Sequence, residues 1–159
     1  MSKYLLFCDG SVHPQSKIGF AAYLLILEEE LLFTNLQTKI RIKKITNTSS
    51  TKLEVETLLW ALKDINIKDN SLTVYTDCQN ILGLKDRREG FEKSEYITKK
   101  GTLIANHELY KEFYALTDKL NSDIIKVKGH KKNSLKNDID NVFTLVDKAS
   151  RNALREHLS

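Results

Sequence analysis

Disulfides cannot hold this chain together. Its 159 residues include two cysteines, Cys8 and Cys78, too few for a disulfide framework, so a reducing, cytoplasmic setting is expected. The single proline, Pro14, falls in an early loop, and there is no repeat, low-complexity tract or linker-like stretch. One domain spanning 1–159 is therefore expected. No run approaches the roughly 20 apolar residues that span a bilayer, so no membrane partner is expected. The opening MSKYLLFCDG has too short an apolar run for a secretory signal and meets an acid at position 9. Each cysteine adjoins an acid, but alternation along a strand points Cys8 away from Asp9. Both thiols read as small buried hydrophobes.

What is present suits a folded core: 41% hydrophobic and 29% charged residues, ordinary for a globular chain of a size that needs no staples. The net charge of +4 is modest but uneven. Residues 39–44 (KIRIKK) carry four positive charges, and 126–136 (KVKGHKKNSLK) five lysines, with no acid in either. Segment 85–100 holds six basic and four acidic residues. A charge run is ordinarily a solvated face. Three of them in a chain that also carries well-placed acids read as flanks that hold a polyanion.

Hydrophobic periodicity predicts a strand over Tyr4–Asp9, another over Gly19–Leu27, a turn at the EEE of 28–30, and a strand within Leu31–Ile45 with one basic side. Lysines there suit an edge strand. A capped helix is predicted over Ser49–Ile65. A short strand follows at Leu72–Asp77, then a brief helix at 79–85, an irregular polar stretch from Gly90 to Gly101, and an amphipathic helix over Asn106–Leu120. Ile124–Val127 is the last strand, 129–140 a basic then acidic loop, and Val142–Leu154 a closing helix. Three strands in meander followed by alternating helices and strands imply a mixed five-stranded α/β sheet with helices on its faces.

Four acids stand out. At about 100° per residue, Glu54 shares a helix side with Leu58, Ala61, Leu62 and Ile65, whereas Glu56 falls opposite with Lys52 and Lys63 and reads as a solvated glutamate. A carboxylate facing the sheet is costly, so Glu54 is a functional group, a buried ion pair or a rim residue. Asp9 and Asp77 end apolar runs, at the carboxyl edge where ligands bind to α/β sheets. Asp9-Gly10 equally suits a turn, and Asp77 a helix cap. Two such aspartates on neighbouring strands repel unless a cation separates them, and their oxygens are the ligands Mg²⁺ prefers. Asp147 lies to one side of its helix's apolar stripe of Val142, Leu145, Val146, Ala149 and Ala153, and reads as a solvated acid that can pair with Arg151. His130, in a polar loop, is either incidental or a proton shuttle, its unperturbed pKa of roughly 6.5 being suited to that work.

These residues together resemble ribonuclease H of type 1. The shared elements are DGS at 9–11, KLEVETLLWAL in the first helix, YTDCQN, VKGH at 127–130 and VDKASR at 146–151, in family order over nearly the whole chain. The resemblance implies the RNase H-like fold, with three antiparallel strands and two parallel additions. It implies that Asp9, Glu54, Asp77 and Asp147 bind metal and are catalytic, with His130 assisting proton transfer or product release. It also implies nucleic-acid contacts by Gly10, Ser11, Ser49, Ser50, Thr51, Gln79 and Asn106. Ser50 and Thr51 stand where many relatives carry asparagines, and VHPQSKIG replaces a Gly/Pro-rich loop. The handle of bacterial relatives corresponds to 86–105, which here lacks Trp and has mixed charge, so hybrid binding is expected to rest more on KIRIKK and the 126–136 lysines. His130 and Asp147 stand 17 positions apart, further than in the common bacterial form.

The implied activity is Mg²⁺-dependent endonucleolytic hydrolysis of the RNA strand of RNA–DNA hybrids, with two ions per site and Mn²⁺ as a substitute. One ion would activate water and the other stabilise the departing 3′-oxygen, leaving a 5′-phosphate. The expected partner is the hybrid itself, bound by a monomer. The rivals are a non-catalytic nucleic-acid-binding module and another metal-dependent nuclease on the same fold. A receiver-like domain does not fit the opening meander.

Overall fold

The structure, a computed structural model, describes residues 2–127 and 137–159. Its frame is a five-stranded sheet: β1 (Lys3–His13), β2 (Ile18–Leu27), β3 (Arg41–Ile45), β4 (Ser71–Thr76) and β5 (Ser122–Lys126). The spatial order is β3-β2-β1-β4-β5. β1, β2 and β3 pair antiparallel, whereas β4 joins β1 and β5 joins β4 in parallel. Four α-helices are present among the described residues: α1 (Ser50–Asp64), α2 (Gln79–Lys93), α3 (His107–Lys119) and α4 (Asp138–Leu158).

Alternation along β1 sends its residues into two cores. Leu6 and Cys8 pack with Val55, Leu58 and Leu62 of α1, Leu84 of α2 and Phe113 of α3. Leu5 and Phe7 pack on the opposite face with Val142, Phe143 and Val146 of α4. A strand buried on both faces must read as a continuous apolar run, as Leu5–Cys8 does. α1 approaches the sheet closely because two glycines leave room for Leu53. A Cβ on Gly10 or on Gly19 would lie 3.0 Å or 2.8 Å from Leu53 Cδ2. Leu53 is almost fully buried, so Leu53→Ala is expected to cost about 3 kcal/mol, readable in a denaturant titration.

Several predicted elements differ in extent, three of them instructively. The segment 31–45 is a strand only over Arg41–Ile45. Before it, Asn35 takes a left-handed conformation (φ 62°), and Leu36–Lys39 forms a 3₁₀ turn that drives Leu36 into the α4-side core. Of the segment's apolar residues before β3 only Leu36 is buried, while Leu32 and Phe33 are exposed. The brief helix at 79–85 runs on to Lys93, because Phe91 stacks on Tyr110 (5.7 Å) and Arg88 grips Asp118 with two bonds. Tertiary contacts hold a helix that contains Gly90 and little apolar content. The closing helix starts earlier than Val142, at Asp138, where Asn137 and Asp140 form a reciprocal capping box.

The basic edge strand stands as expected, but its charges are partly engaged. Arg41 pairs with Asp64 (3.1 Å), Lys39 with Glu30 (3.1 Å), and Lys43 lies over the Trp60 ring. No helix among the described residues is long and apolar enough to cross a membrane.

Candidate active site

β1 runs four residues past Asp9, so Asp9 does not end its strand and Asp9-Gly10 is not a turn. The position is nonetheless at an edge. Parallel pairing with β4 stops at Phe7↔Tyr75, whereas antiparallel pairing with β2 continues to His13. Asp9 therefore sits just beyond the carboxyl end of β4, and Asp77 follows that end directly. Glu54 projects from the second turn of α1, behind the cap that Ser49 makes by accepting the Lys52 N–H (3.3 Å). Asp9, Glu54 and Asp77 line one cavity with Gly10, Thr57 and Cys78.

Asp147 reaches the same place from the other face of the sheet, near enough for its charge to act on the Asp9 carboxyl. Beyond the capping Asp140, the buried residues of α4 are Val142, Phe143, Val146 and Ser150, a stripe turned from the predicted one. Phe143, Asp147 and Ser150 share a helix face at i, i+4 and i+7. Because Ser150 is polar, the sequence pattern hid that face. In the fold Ser150 is fully buried and bonds Ser11 (3.1 Å), docking α4 on β1 one step along from Asp9. Asp147 is half-buried and also accepts from Arg151 (2.8 Å), the ion pair its spacing suggested.

Crowding of acids sets the electrostatics. Burial first, then the charges of Asp77 and Asp147, push the Asp9 carboxyl up from 3.8 to about 8. Glu54 accepts the Cys78 thiol (2.8 Å). Burial, and next this carboxylate, push that thiol up to about 12, so it stays protonated and donates. Cys78 is thus not the inert hydrophobe the sequence suggested: its sulfur also accepts the Ile81 N–H (3.4 Å) and caps α2. A cysteine directly after a strand-end acid and before a helix was the available signal. Cys8 is buried, and its thiol too is pushed up by burial and by Asp9. Glu56 is not simply solvated, since it accepts the Thr48 hydroxyl (2.6 Å).

Among the described residues no group of three or more His, Cys, Asp or Glu side chains is arranged to hold a metal ion as it stands. The donor set nevertheless suits a hard divalent cation: it is all carboxylate oxygen, and the Asp9 carboxyl is raised by burial and then by the neighbouring charges of Asp77 and Asp147.

The remaining predicted residues divide. Gly10 lines the cavity. Ser11 is turned to Ser150. Ser49, Ser50 and Thr51 are exposed around the start of α1, and Gln79 is exposed in the first turn of α2. Asn106 is the left-handed N-cap residue of α3 (φ 65°) and makes no side-chain cap bond. His130 and most of the 126–136 lysines lie outside the described residues.

An antiparallel meander extended by two parallel strands, with acids gathered at the carboxyl edge of β4, is the architecture of the RNase H-like α/β folds. The family model for RNase H matches residues 1–154. The chain belongs to the RNase H family, whose members in general cut the RNA of RNA–DNA hybrids and depend on divalent metal. Among curated proteins none matches the chain.

Proposed function

We propose that the chain is an endoribonuclease that hydrolyses the RNA strand of RNA–DNA hybrids with Mg²⁺, working as a single catalytic domain and as a monomer. The observation that carries this is the meeting of four acids from four separate segments: three on one cavity, the fourth near enough for its charge to act on Asp9. Asp9, Glu54, Asp77 and Asp147 would hold two divalent ions. Bound ions of this kind supply activation of water and stabilisation of the leaving 3′-oxygen, which leaves a 5′-phosphate. Asp9 must give up its proton to serve, and α4, fixed by the Ser11–Ser150 contact, keeps Asp147 within reach. Hydroxyls at Ser50 and Thr51 meet the 2′-OH face of the minor groove, Asn106 with Ser49 or Ser50 takes a DNA phosphate, and Gln79 completes the grip. Selection is by hybrid shape and not by base sequence. Two buried free cysteines accord with a reducing, cytoplasmic setting.

The deciding experiment offers a labelled hybrid beside RNA–RNA and DNA–DNA duplexes, with and without Mg²⁺ or Mn²⁺. Metal-dependent cleavage of the hybrid's RNA alone is expected. Binding without cleavage would instead mark a non-catalytic module, and a preference for DNA another nuclease. His130→Ala is expected to slow turnover by about 100-fold or more without abolishing it, as loss of a proton-transfer group does. An unchanged steady-state rate would remove His130 from the mechanism.

A further inference from the structure

We propose that Cys78 is a positioning residue for Glu54: its thiol holds the carboxylate on the cavity wall, so that a divalent cation meets Glu54 already placed. This rests on the metal reading above and adds to it a residue that the four-acid scheme does not contain.

The geometry is a relay through one sulfur. Cys78 Sγ–H donates to Glu54 Oε2 at 2.8 Å. The same Sγ accepts the Ile81 N–H at 3.4 Å in the first turn of α2. The backbone N–H of Cys78 is in turn fixed by Thr76 Oγ1 (3.1 Å) at the end of β4. Cys78 is buried, so water competes poorly for these bonds. A thiol is a weak donor, but a peptide N–H on its lone pair polarises it, and low local polarity strengthens both bonds. Glutamate otherwise swings about three side-chain torsions, and α1 is a separate element from β4. The sulfur therefore ties the α1 ligand to the strand end that carries Asp77. Partners that orient a metal ligand in this way commonly change metal affinity when removed.

Mn²⁺ titrated calorimetrically into the full chain, without nucleic acid, reads this directly. Cys78→Ala, which removes both bonds, is expected to weaken Mn²⁺ binding about ten-fold. Cys78→Ser keeps a donor and an acceptor and is expected to stay within about two-fold of the parent, a rescue that simple packing would not give. Equal binding by the Ala variant, or a Ser variant as weak as Ala, overturns the inference. Should the Ala variant not fold, the infrared S–H stretch of the parent chain decides, assigned by difference against Cys78→Ser. A band at the low frequency of a thiol bonded to carboxylate, moving upward in Glu54→Gln, is expected; a free-thiol band overturns the contact. A parent chain that binds no Mn²⁺ overturns the metal reading beneath, whereas tight binding by parent and Ala variant alike overturns this inference alone.

Discussion

Asp77→Asn is expected to abolish metal-dependent cleavage of a hybrid while leaving hybrid binding at low salt intact. The substitution keeps size and most hydrogen bonding but removes one negative charge at the carboxyl end of β4, beside Asp9 and Glu54. If these acids hold the ions that activate water, the loss should exceed about 1,000-fold, which is roughly 4 kcal/mol of barrier. Binding should survive because affinity for a polyanion comes from lysines and arginines spread over the surface. The two readouts are single-turnover cleavage and a filter-binding isotherm at matched salt. Metal-dependent cleavage retained by the variant would sink the assignment of Asp77.

Asp9→Asn is expected to make the metal-free protein more stable, even as it removes activity. In the folded chain Asp9 keeps its proton up to about pH 8, against 3.8 for an ordinary carboxyl. Below about pH 4 both folded and unfolded chains are protonated there, and the group is neutral to stability. Between the two values unfolding releases a proton, so stability falls as pH rises, by a few kcal/mol in all. Above about 8 the penalty is complete, because the folded chain then holds the buried charge. The amide carries no such penalty. Calorimetry at pH 7 in chelator should show the variant melting about 5 °C or more above the parent, with the gain vanishing near pH 4. A variant that melts lower at pH 7 would contradict the crowding of charge at this edge.

Much of this arrangement was legible in the sequence, and for identifiable reasons. Glu54 was separable from Glu56 because 3.6-residue periodicity fixes which side of a helix faces the sheet. Asp9 and Asp77 were legible as edge residues, although β1 continues past Asp9: the run's apolar part ends where β4 ends, while β2 goes on supporting the strand. Asp147 was not legible from pattern, because its face of α4 is completed by Ser150, a polar residue that becomes fully buried. Cys78 was missed for a related reason. Composition treats cysteine as a hydrophobe, whereas its role here depends on the carboxylate that α1 brings to it, a neighbour 24 positions away. The length of α2 was hidden in the same way, in ring stacking and ion pairs to α3 that no local window contains.

The two-faced pairing of β1 has a consequence for how such a chain can change. Cys8 and Gly10 face α1, while Leu5 and Phe7 face α4, and Asp9 reaches Asp147 because it shares their parity. Deleting one residue upstream within β1 would swap every side chain between the layers, sending the aspartate toward Leu53 and a thiol toward α4. Insertions in the connections, such as the long approach to α4, leave that parity untouched. Length can therefore drift freely in the loops of this protein, while β1 tolerates changes of residue but not of count.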